Sequence, residues 1–283
     1  MKIAIAQTNP KPGDIRRNLE QMLNFMKELK GQTDLLIFPE LSLTGYSLKD
    51  QLYEVAISPD SPEMKEICQV AKETNIDCIF GFVEAGKGDQ IFNSAALIKN
   101  GSVSTIQRKI YPTTYGIFEE GKYFARGKKV KVDQIKEFTT SMLICNDVWH
   151  PSLAHIAAHQ HCSLLVALIN SPEGGLGSKF SSAQGWERVG QFYAQIYGCY
   201  VVLVNRVGKE DDISFYGNSK VIDPFGQVVV QCPFKDEAIQ ICEIEYRHVK
   251  EVRRVLPTMR DEDIDLTIRH LQDIARSEYE DEK

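Results

Sequence analysis

The sequence has no hydrophobic run long enough to cross a membrane. A membrane-spanning helix needs about 20 consecutive apolar residues, whereas the longest clear apolar run, Leu164–Ile169, suits a buried strand. The first residues, MKIAIAQTNP, enter a predicted strand almost at once, so we expect no signal or transit peptide. These absences predict a protein that has no membrane partner and is located in the cytoplasm.

Cofactor motifs and basic stripes are missing too. The seven cysteines form no CxxC pair, and an odd number of cysteines without a secretion signal is typical of reduced cytosolic thiols. The net charge of −6 comes with no basic stripe, which argues against a nucleic-acid partner. The glycine-rich segment at 173–177 matches no nucleotide-binding pattern and is expected to form a loop near a pocket. We therefore predict no metal and no organic cofactor.

Strand-like and helix-like segments alternate along the chain. The predicted strands are Lys2–Gln7, Leu35–Phe38, Asp77–Glu84, Ile91–Lys99, Ser102–Lys109, Thr139–Cys145, Leu164–Asn170, Tyr200–Asn205, Asn218–Ile222, Val228–Cys232 and Ala238–Glu243. Turn signals at Asn100-Gly101 and at 223–226 (DPFG) predict hairpins, so mixed sheets are expected. Residues 1–283 are predicted to form one α/β domain, with a C-terminal helix at about 261–278 and a frayed acidic tail (EYEDEK).

Three reactive side chains directly follow predicted strands. Glu40 follows the strand DLLIF, Lys109 ends the strand that begins at residue 102, and Cys145 closes the segment TTSMLIC. Cys145 also opens the turn NDVWHP before the next helix. Backbone N–H groups at a helix start favour a thiolate and can receive an oxyanion. A carboxylate, an ammonium and a thiol in such positions indicate acyl transfer through a thioester.

Several segments resemble the nitrilase superfamily of carbon–nitrogen hydrolases. FPE at 38–40, RKIYP at 108–112 and LICNDVWHP at 143–151 are similar to its three signature segments. Further segments between residue 3 and about residue 245 also resemble the family, and they occur in the same order as in its members. The resemblance implies a four-layer αββα sandwich with two mixed β-sheets. It also implies a Glu-Lys-Cys catalytic set.

The resemblance assigns roles to these residues. Glu40 matches the general base, Lys109 the ammonium beside the nucleophile, and Cys145 the nucleophile. Members often use a further glutamate after the lysine. Glu120 is the predicted match, although the adjacent Glu119 leaves the register open.

Pocket residues are predicted from their positions in the chain. Tyr46 follows the Glu40 loop, and Asn170 and Ser171 end the strand after the nucleophile, where α/β sheets commonly present ligands. These three are expected to bind substrate. Asp147 and His150 lie too close to Cys145 in sequence to argue for a Cys-His-Asp relay. We expect Asp147 to brace the turn and His150 to be structural or to lie at the pocket rim.

The residues after Cys145, Asn-Asp-Val-Trp, resemble amidase and carbamoylase branches more than true nitrilases. The predicted reaction is hydrolysis of a small amide or N-carbamoyl amine, with release of ammonia. The segment KIYPTTYGIFEE, however, resembles the glutaminase portion of glutamine-dependent NAD synthetases. The chain would then be a glutaminase subunit that delivers ammonia to a separate partner synthetase. A non-catalytic binding module on a hydrolase fold is the third hypothesis.

The expected partners are a small-molecule amide substrate and further copies of the chain. Family members usually stack two sandwiches into a dimer, so the resemblance implies a homodimer or a larger homo-oligomer. The helices around 152–161 and 181–198 are the predicted interface.

Overall fold

The computed structural model describes residues 1–48, 51–116, 118–174 and 179–281, with only the backbone of 278–281. Within these ranges the chain forms two six-stranded sheets and a separate two-stranded hairpin. Most of the glycine-rich segment at 173–177 that was expected to form a loop near the pocket lies outside the described residues.

The first sheet has three parallel strands flanked by antiparallel ones. Its strands are β1 (Lys2–Gln7), β2 (Leu35–Ile37), β3 (Asp77–Ala85), β4 (Ile91–Lys99), β5 (Ser102–Arg108) and β14 (Ala238–Glu243). They lie in the order β14-β1-β2-β3-β4-β5. β1, β2 and β3 pair in parallel, and the other pairings are antiparallel.

The second sheet repeats this arrangement. Its strands are β6 (Val132–Ile135), β7 (Phe138–Ile144), β8 (Leu164–Ile169), β9 (Tyr200–Asn205), β12 (Lys220–Ile222) and β13 (Val228–Gln231). They lie in the order β13-β12-β9-β8-β7-β6, with β7, β8 and β9 parallel. β10 (Val207–Glu210) and β11 (Ile213–Tyr216) form the separate hairpin.

Helices cover the outer faces of both sheets. The helices are α1 (Ile15–Glu28), α2 (Leu52–Val55), α3 (Pro62–Thr74), α4 (Glu120–Tyr123), α5 (Pro151–His159), α6 (Ser182–Tyr197), α7 (Tyr246–Val255), α8 (Thr258–Asp261) and α9 (Ile264–Asp281). One buried apolar cluster joins the inner faces of the two sheets. Two others pack α1 and α3 on the first sheet and α5 and α6 on the second. These layers are the expected αββα sandwich.

The hairpin predicted at Asn100-Gly101 is confirmed. Both residues have positive φ, 51° and 73°, as a tight two-residue turn between β4 and β5 requires. The C-terminal helix differs from its prediction, because α9 continues to Asp281 through most of the tail that was expected to fray. The tail contains no glycine or proline that would stop a helix. Along the described residues, no helix is long and apolar enough to span a membrane.

The strand directions bring the predicted catalytic residues to one region. β5 runs in the same direction as β2, since two antiparallel pairings separate it from the parallel β3. The residues after β2 and β5, which include Glu40 and Lys109, therefore emerge at the same edge of the first sheet. Cys145 and Asn170 follow the parallel strands β7 and β8 at one edge of the second sheet.

Gly81 on β3 allows the chain after β2 to pack against the sheet. A Cβ atom at this position would lie 2.1 Å from the backbone nitrogen of Leu41 and 2.8 Å from Cα of Glu40. Leu41 itself has a φ of 48°, so this turn is already held in an unusual conformation. The backbone around Glu40 can take its position only because residue 81 has no side chain.

Replacing Gly81 by alanine should therefore destabilise the protein and displace Glu40. We expect Gly81→Ala to lower the free energy of unfolding by about 1–3 kcal/mol, the usual cost of overpacking. Urea unfolding measures this change. The matched control is Gly190→Ala on α6, whose new Cβ would meet only side-chain atoms of Ile222 and Leu203. Equal stability of Gly81→Ala and wild type would contradict the prediction.

Candidate active site

Glu40 is fully buried, and only one of its two carboxylate oxygens accepts hydrogen bonds. Its Oε1 accepts hydrogen bonds from Lys109 Nζ at 2.8 Å and from Asn93 Nδ2 at 2.7 Å. Its Oε2 is buried without a hydrogen-bond partner. Burial raises the pKa of Glu40, and the neighbouring Lys109 ammonium opposes this rise. The carboxylate is therefore held in place through one oxygen and free to exchange a proton through the other.

Lys109 joins two buried carboxylates. Its ammonium lies 2.8 Å from Glu40 Oε1 and 2.8 Å from Glu120 Oε2, and its side chain is 1% exposed. Burial opposes the charge, but Glu120 and Glu40 outweigh it and hold the pKa of Lys109 well above its usual value. Lys109 is a cation in this site, suited to stabilise negative charge on a substrate oxygen.

The structure places Glu120, and not Glu119, against Lys109. Glu120 is buried at the start of α4, whereas Glu119 is exposed. Its Oε2 accepts the backbone N–H of Thr113 at 2.9 Å, and its Oε1 accepts the hydroxyl of Tyr46 at 2.7 Å. These contacts fix the carboxylate from three sides, so Glu120 is built to orient the lysine.

Cys145 has the backbone conformation of a strained turn. Its φ is 45°, and the 3₁₀ turn Cys145–Trp149 begins at this residue directly after β7. Burial, followed by the charge of Glu40, raises the pKa of the thiol well above its usual value. Lys109 and a hydrogen bond from the backbone N–H of Asn170 oppose this rise. The surroundings of the sulfur therefore favour its neutral form.

Asp147 links the turn that begins at Cys145 to the residues that follow Lys109. Its carboxylate accepts backbone N–H groups of Tyr111 at 2.8 Å, Ile110 at 3.0 Å and Ile144 at 3.3 Å. Ile110 and Tyr111 directly follow Lys109, so Asp147 fixes the lysine relative to the cysteine. His150 stacks on Tyr111 with ring centroids 3.9 Å apart. This packing position is the structural role expected of the histidine.

A pocket opens beside Cys145. Its described lining residues are Thr113, Tyr115, Phe118, Cys145, Trp149, Asn170, Ser171, Pro172, Ser182 and Trp186. Asn170 is 1% exposed, yet both polar atoms of its side chain have no hydrogen-bond partner. Tyr46 is not among these lining residues, and its hydroxyl donates to Glu120. Asn170 and Ser171 thus lie at the pocket, Tyr46 contacts the glutamate beside Lys109, and substrate binding by the three stays a prediction.

Two buried asparagines at the site escaped the sequence analysis. Asn93 on β4 donates to Glu40, and its backbone oxygen accepts the N–H of Lys109 at 2.8 Å. Asn205 at the end of β9 holds Ser171 by accepting its N–H at 2.9 Å and donating to its carbonyl at 3.2 Å. The available signal was an amide side chain inside or at the end of an apolar strand, where burial requires a partner.

Comparison with known proteins identifies the family of the chain. The profile of the carbon–nitrogen hydrolase family matches residues 2–254. The chain belongs to the carbon–nitrogen hydrolase family, and with it to the nitrilase superfamily. This membership supports a hydrolase that acts on a small molecule.

Individual relatives fall into two groups. The glutamine-dependent NAD(+) synthetase of Thermotoga maritima is 26% identical over 92% of this chain and 45% of its own length. An (R)-stereoselective amidase of a Pseudomonas species is 28% identical over 92% of this chain and 91% of its own. The solved structure of the glutamine-dependent NAD+ synthetase from Acinetobacter baumannii is 29% identical with a TM-score of 0.77, covering 88% of this chain and 46% of that one. The chain thus spans less than half the length of these synthetases.

Replacing the Asp147 carboxyl group should loosen the turn that begins at Cys145. In Asp147→Asn, the amide NH₂ would face a backbone N–H donor that now points at a carboxyl oxygen. A buried donor left without an acceptor costs about 1–3 kcal/mol, so we expect the free energy of unfolding to fall by about that amount in urea titrations. Asp223→Asn, in the turn between β12 and β13, is the control and should cost less than about 1 kcal/mol. Equal effects of the two variants would contradict this role for Asp147.

Removing Lys109 should make stability depend strongly on pH. In Lys109→Met, the buried Glu40 loses the cation that opposes the rise of its pKa, and Glu120 remains nearby. A carboxyl group whose pKa is raised on folding binds its proton more tightly in the folded state, so stability falls as pH rises above about 4.5. We expect a loss of about 3–5 kcal/mol at pH 8, as for a broken buried ion pair, and a smaller loss at pH 5.

Urea unfolding of Lys109→Met at both pH values measures this effect. Lys136→Met is the matched control, because Lys136 is half exposed and pairs with Asp34 at the surface. Its loss should stay below about 1 kcal/mol at either pH. A loss in Lys109→Met that is the same at pH 5 and pH 8 would contradict the prediction.

Proposed function

We propose that the protein hydrolyses a small amide or N-carbamoyl amine through a thioester at Cys145 and releases ammonia. One observation carries this proposal. In the candidate site, Glu40 Oε2, Asn93 Oδ1 and both polar atoms of the Asn170 side chain are buried without hydrogen-bond partners, and Asn170 lines the pocket together with Cys145. Buried polar groups are usually paired, so unpaired ones beside a nucleophile indicate places for a ligand's polar atoms.

The unpaired atoms match an amide better than a nitrile. Glu40 Oε2, Asn93 Oδ1 and Asn170 Oδ1 are acceptors, while Asn170 Nδ2 is a donor. A primary amide or a carbamoyl group offers two N–H donors and one carbonyl acceptor. A nitrile offers an acceptor alone and would leave the three oxygens without donors. The donor and acceptor balance of the site therefore supports a carboxamide or carbamoyl substrate.

The first half of the reaction forms the thioester. Glu40 takes the proton of the Cys145 thiol as sulfur attacks the carbonyl carbon, and the carbonyl oxygen becomes an oxyanion. The Lys109 ammonium and the backbone N–H of Asn146 stabilise this oxyanion. As the tetrahedral intermediate collapses, the carbon–nitrogen bond breaks and Glu40 returns the proton to the leaving nitrogen. Ammonia departs, and the acyl group stays on sulfur.

The second half releases the acid. Glu40 takes a proton from water, and the hydroxide attacks the thioester carbon. The carbon–sulfur bond breaks, and the departing thiolate recovers the proton from Glu40. Glu120 does not exchange a proton in this scheme and acts by holding the ammonium of Lys109.

Glutamine hydrolysis is the second candidate. The synthetase relatives favour it, since the chain matches a part of enzymes that are described as glutamine-dependent. In that case the ammonia would be delivered to a separate partner synthetase. A homodimer stays a prediction under both candidates.

Ammonia release distinguishes these candidates. The substrates to compare are aliphatic amides, ω-amidated dicarboxylates, N-carbamoyl amines, glutamine and nitriles. We expect turnover of an amide or carbamoyl class, with Cys145→Ala inactive and Glu40→Gln slowed by a factor of about 10²–10⁴, the usual contribution of a general base. Intact-mass spectrometry should show an acyl adduct on wild-type protein and none on Cys145→Ala.

The thiol control is Cys68→Ala on α3, which lies outside the site and should retain full turnover. Turnover confined to glutamine would favour the second candidate. Turnover that survives in Cys145→Ala would overturn the thioester mechanism. A folded protein that hydrolyses no member of any class would favour the non-catalytic binding module.

A further inference from the structure

Two histidines and a glutamate outside the pocket converge on one point. His155 and His159 lie one turn apart on α5, so their side chains share a face of the helix. Glu262 lies between α8 and α9 and meets both rings. No metal was predicted from the sequence, because the cysteines show no ligand spacing and Glu262 lies far from the two histidines along the chain.

The distances within this cluster fit a zinc ion. His155 Nε2 lies 3.1 Å from His159 Nε2 and 3.0 Å from Glu262 Oε1, and His159 Nε2 lies 3.4 Å from Glu262 Oε2. Tetrahedral zinc with bonds of about 2.0–2.1 Å separates neighbouring ligand atoms by about 3.3 Å. Each histidine nitrogen thus has one oxygen of Glu262 at the spacing of zinc ligands, and one ligand atom from each of the three side chains lies within 4.8 Å of the others. Each side chain is about one quarter exposed, so an ion and completing water molecules can reach them.

Hydrogen bonds among the two imidazoles and the carboxylate cannot satisfy all three groups at once. If both imidazoles carry a hydrogen on Nε2, each can donate to Glu262, but the two N–H groups then face each other at 3.1 Å. If one ring lacks that hydrogen, its lone pair faces a carboxylate oxygen. A metal ion accepts electron pairs from all three groups at once, because neutral imidazole and ionised carboxylate are its preferred ligand forms.

Hydrogen bonds outside the cluster hold Glu262 close to the two histidines. Arg253 on α7 donates to the carbonyl of Cys162 at 2.6 Å, directly after α5. Thr258 on α8 donates to the carbonyl of Ile196 on α6. These bonds hold the chain before Glu262 against α5 and α6, so the three ligand groups are positioned before any ion binds.

We propose that His155, His159 and Glu262 bind a divalent transition-metal ion of the zinc type and thereby fasten the start of α9 to α5. α9 needs such an anchor, because nearly all of its described side chains are exposed. His₂Glu is a known ligand combination for zinc, with water in the fourth position. The site is independent of the proposed hydrolysis, which uses no group of this cluster.

Zinc titration of the full-length chain tests the binding site. The experiment uses Cys145→Ala protein freed of metal with a chelator, so that the reactive thiol does not compete for zinc. Isothermal titration calorimetry with ZnCl₂ should show one ion bound per chain. Adding His155→Ala, His159→Ala or Glu262→Gln should weaken binding at least about tenfold, because each removes one ligand.

His270→Ala is the matched histidine control, since His270 is exposed on α9 and lies outside the cluster. It should bind zinc as tightly as the parent protein. Circular dichroism checks that each variant is folded. Absence of stoichiometric binding in the parent, or unchanged binding in both histidine variants, would overturn the proposal and leave a hydrogen-bonded surface cluster.

Hydrogen exchange tests the anchoring separately. Zinc should slow amide exchange in the first turns of α9 in the parent protein and leave it unchanged in His159→Ala. Magnesium at the same concentration is the control ion, because it prefers oxygen ligands. If zinc binds at the cluster but exchange in α9 does not change, the binding site stands and the anchoring is wrong.

Discussion

The active site depends on one buried cation shared by two carboxylates. Lys109 lies 2.8 Å from both Glu40 and Glu120, in a position that water barely reaches. Burying one of these charges alone would be strongly unfavourable. The three are tolerated together because each meets an opposite charge and both carboxylates accept further hydrogen bonds. The loops after β2 and β5 and the start of α4 are therefore held to one arrangement. The contacts that stabilise the cluster also hold Glu40 in a fixed position through one of its oxygens.

The backbone of the two sheets fixes where these charged side chains and Cys145 lie. Glu40, Lys109, Cys145 and Asn170 each follow a strand, so two rigid sheets determine where the side chains meet. Asp147 ties the chain after Lys109 to the turn that carries Cys145. Leu41 and Cys145, at two of these junctions, adopt positive φ, a conformation that costs free energy in residues with a side chain. The contacts that bring the charged groups together thus also fix the position of Cys145.

The sequence predicts what local patterns encode and misses what distant contacts decide. Strand ends and short motifs indicated Glu40, Lys109 and Cys145, and turn residues indicated the hairpin at Asn100-Gly101. Tyr46 was assigned to the pocket, whereas its hydroxyl contacts Glu120, because the direction of a loop side chain depends on what packs around it. Asn93, Asn205 and the cluster at Glu262 went unnoticed for the same reason. Their partners are remote in sequence and carry no local pattern.

The unpaired polar atoms show how stability and activity are balanced here. Burying a donor or acceptor without a partner costs about 1–3 kcal/mol, and such unpaired atoms occur at Glu40, Asn93 and Asn170. Three densely packed apolar clusters can offset that cost. A protein selected for stability alone would pair these atoms internally. Under the proposed function, these unpaired groups provide hydrogen bonds for a substrate, which gains most where the protein leaves polar groups unsatisfied.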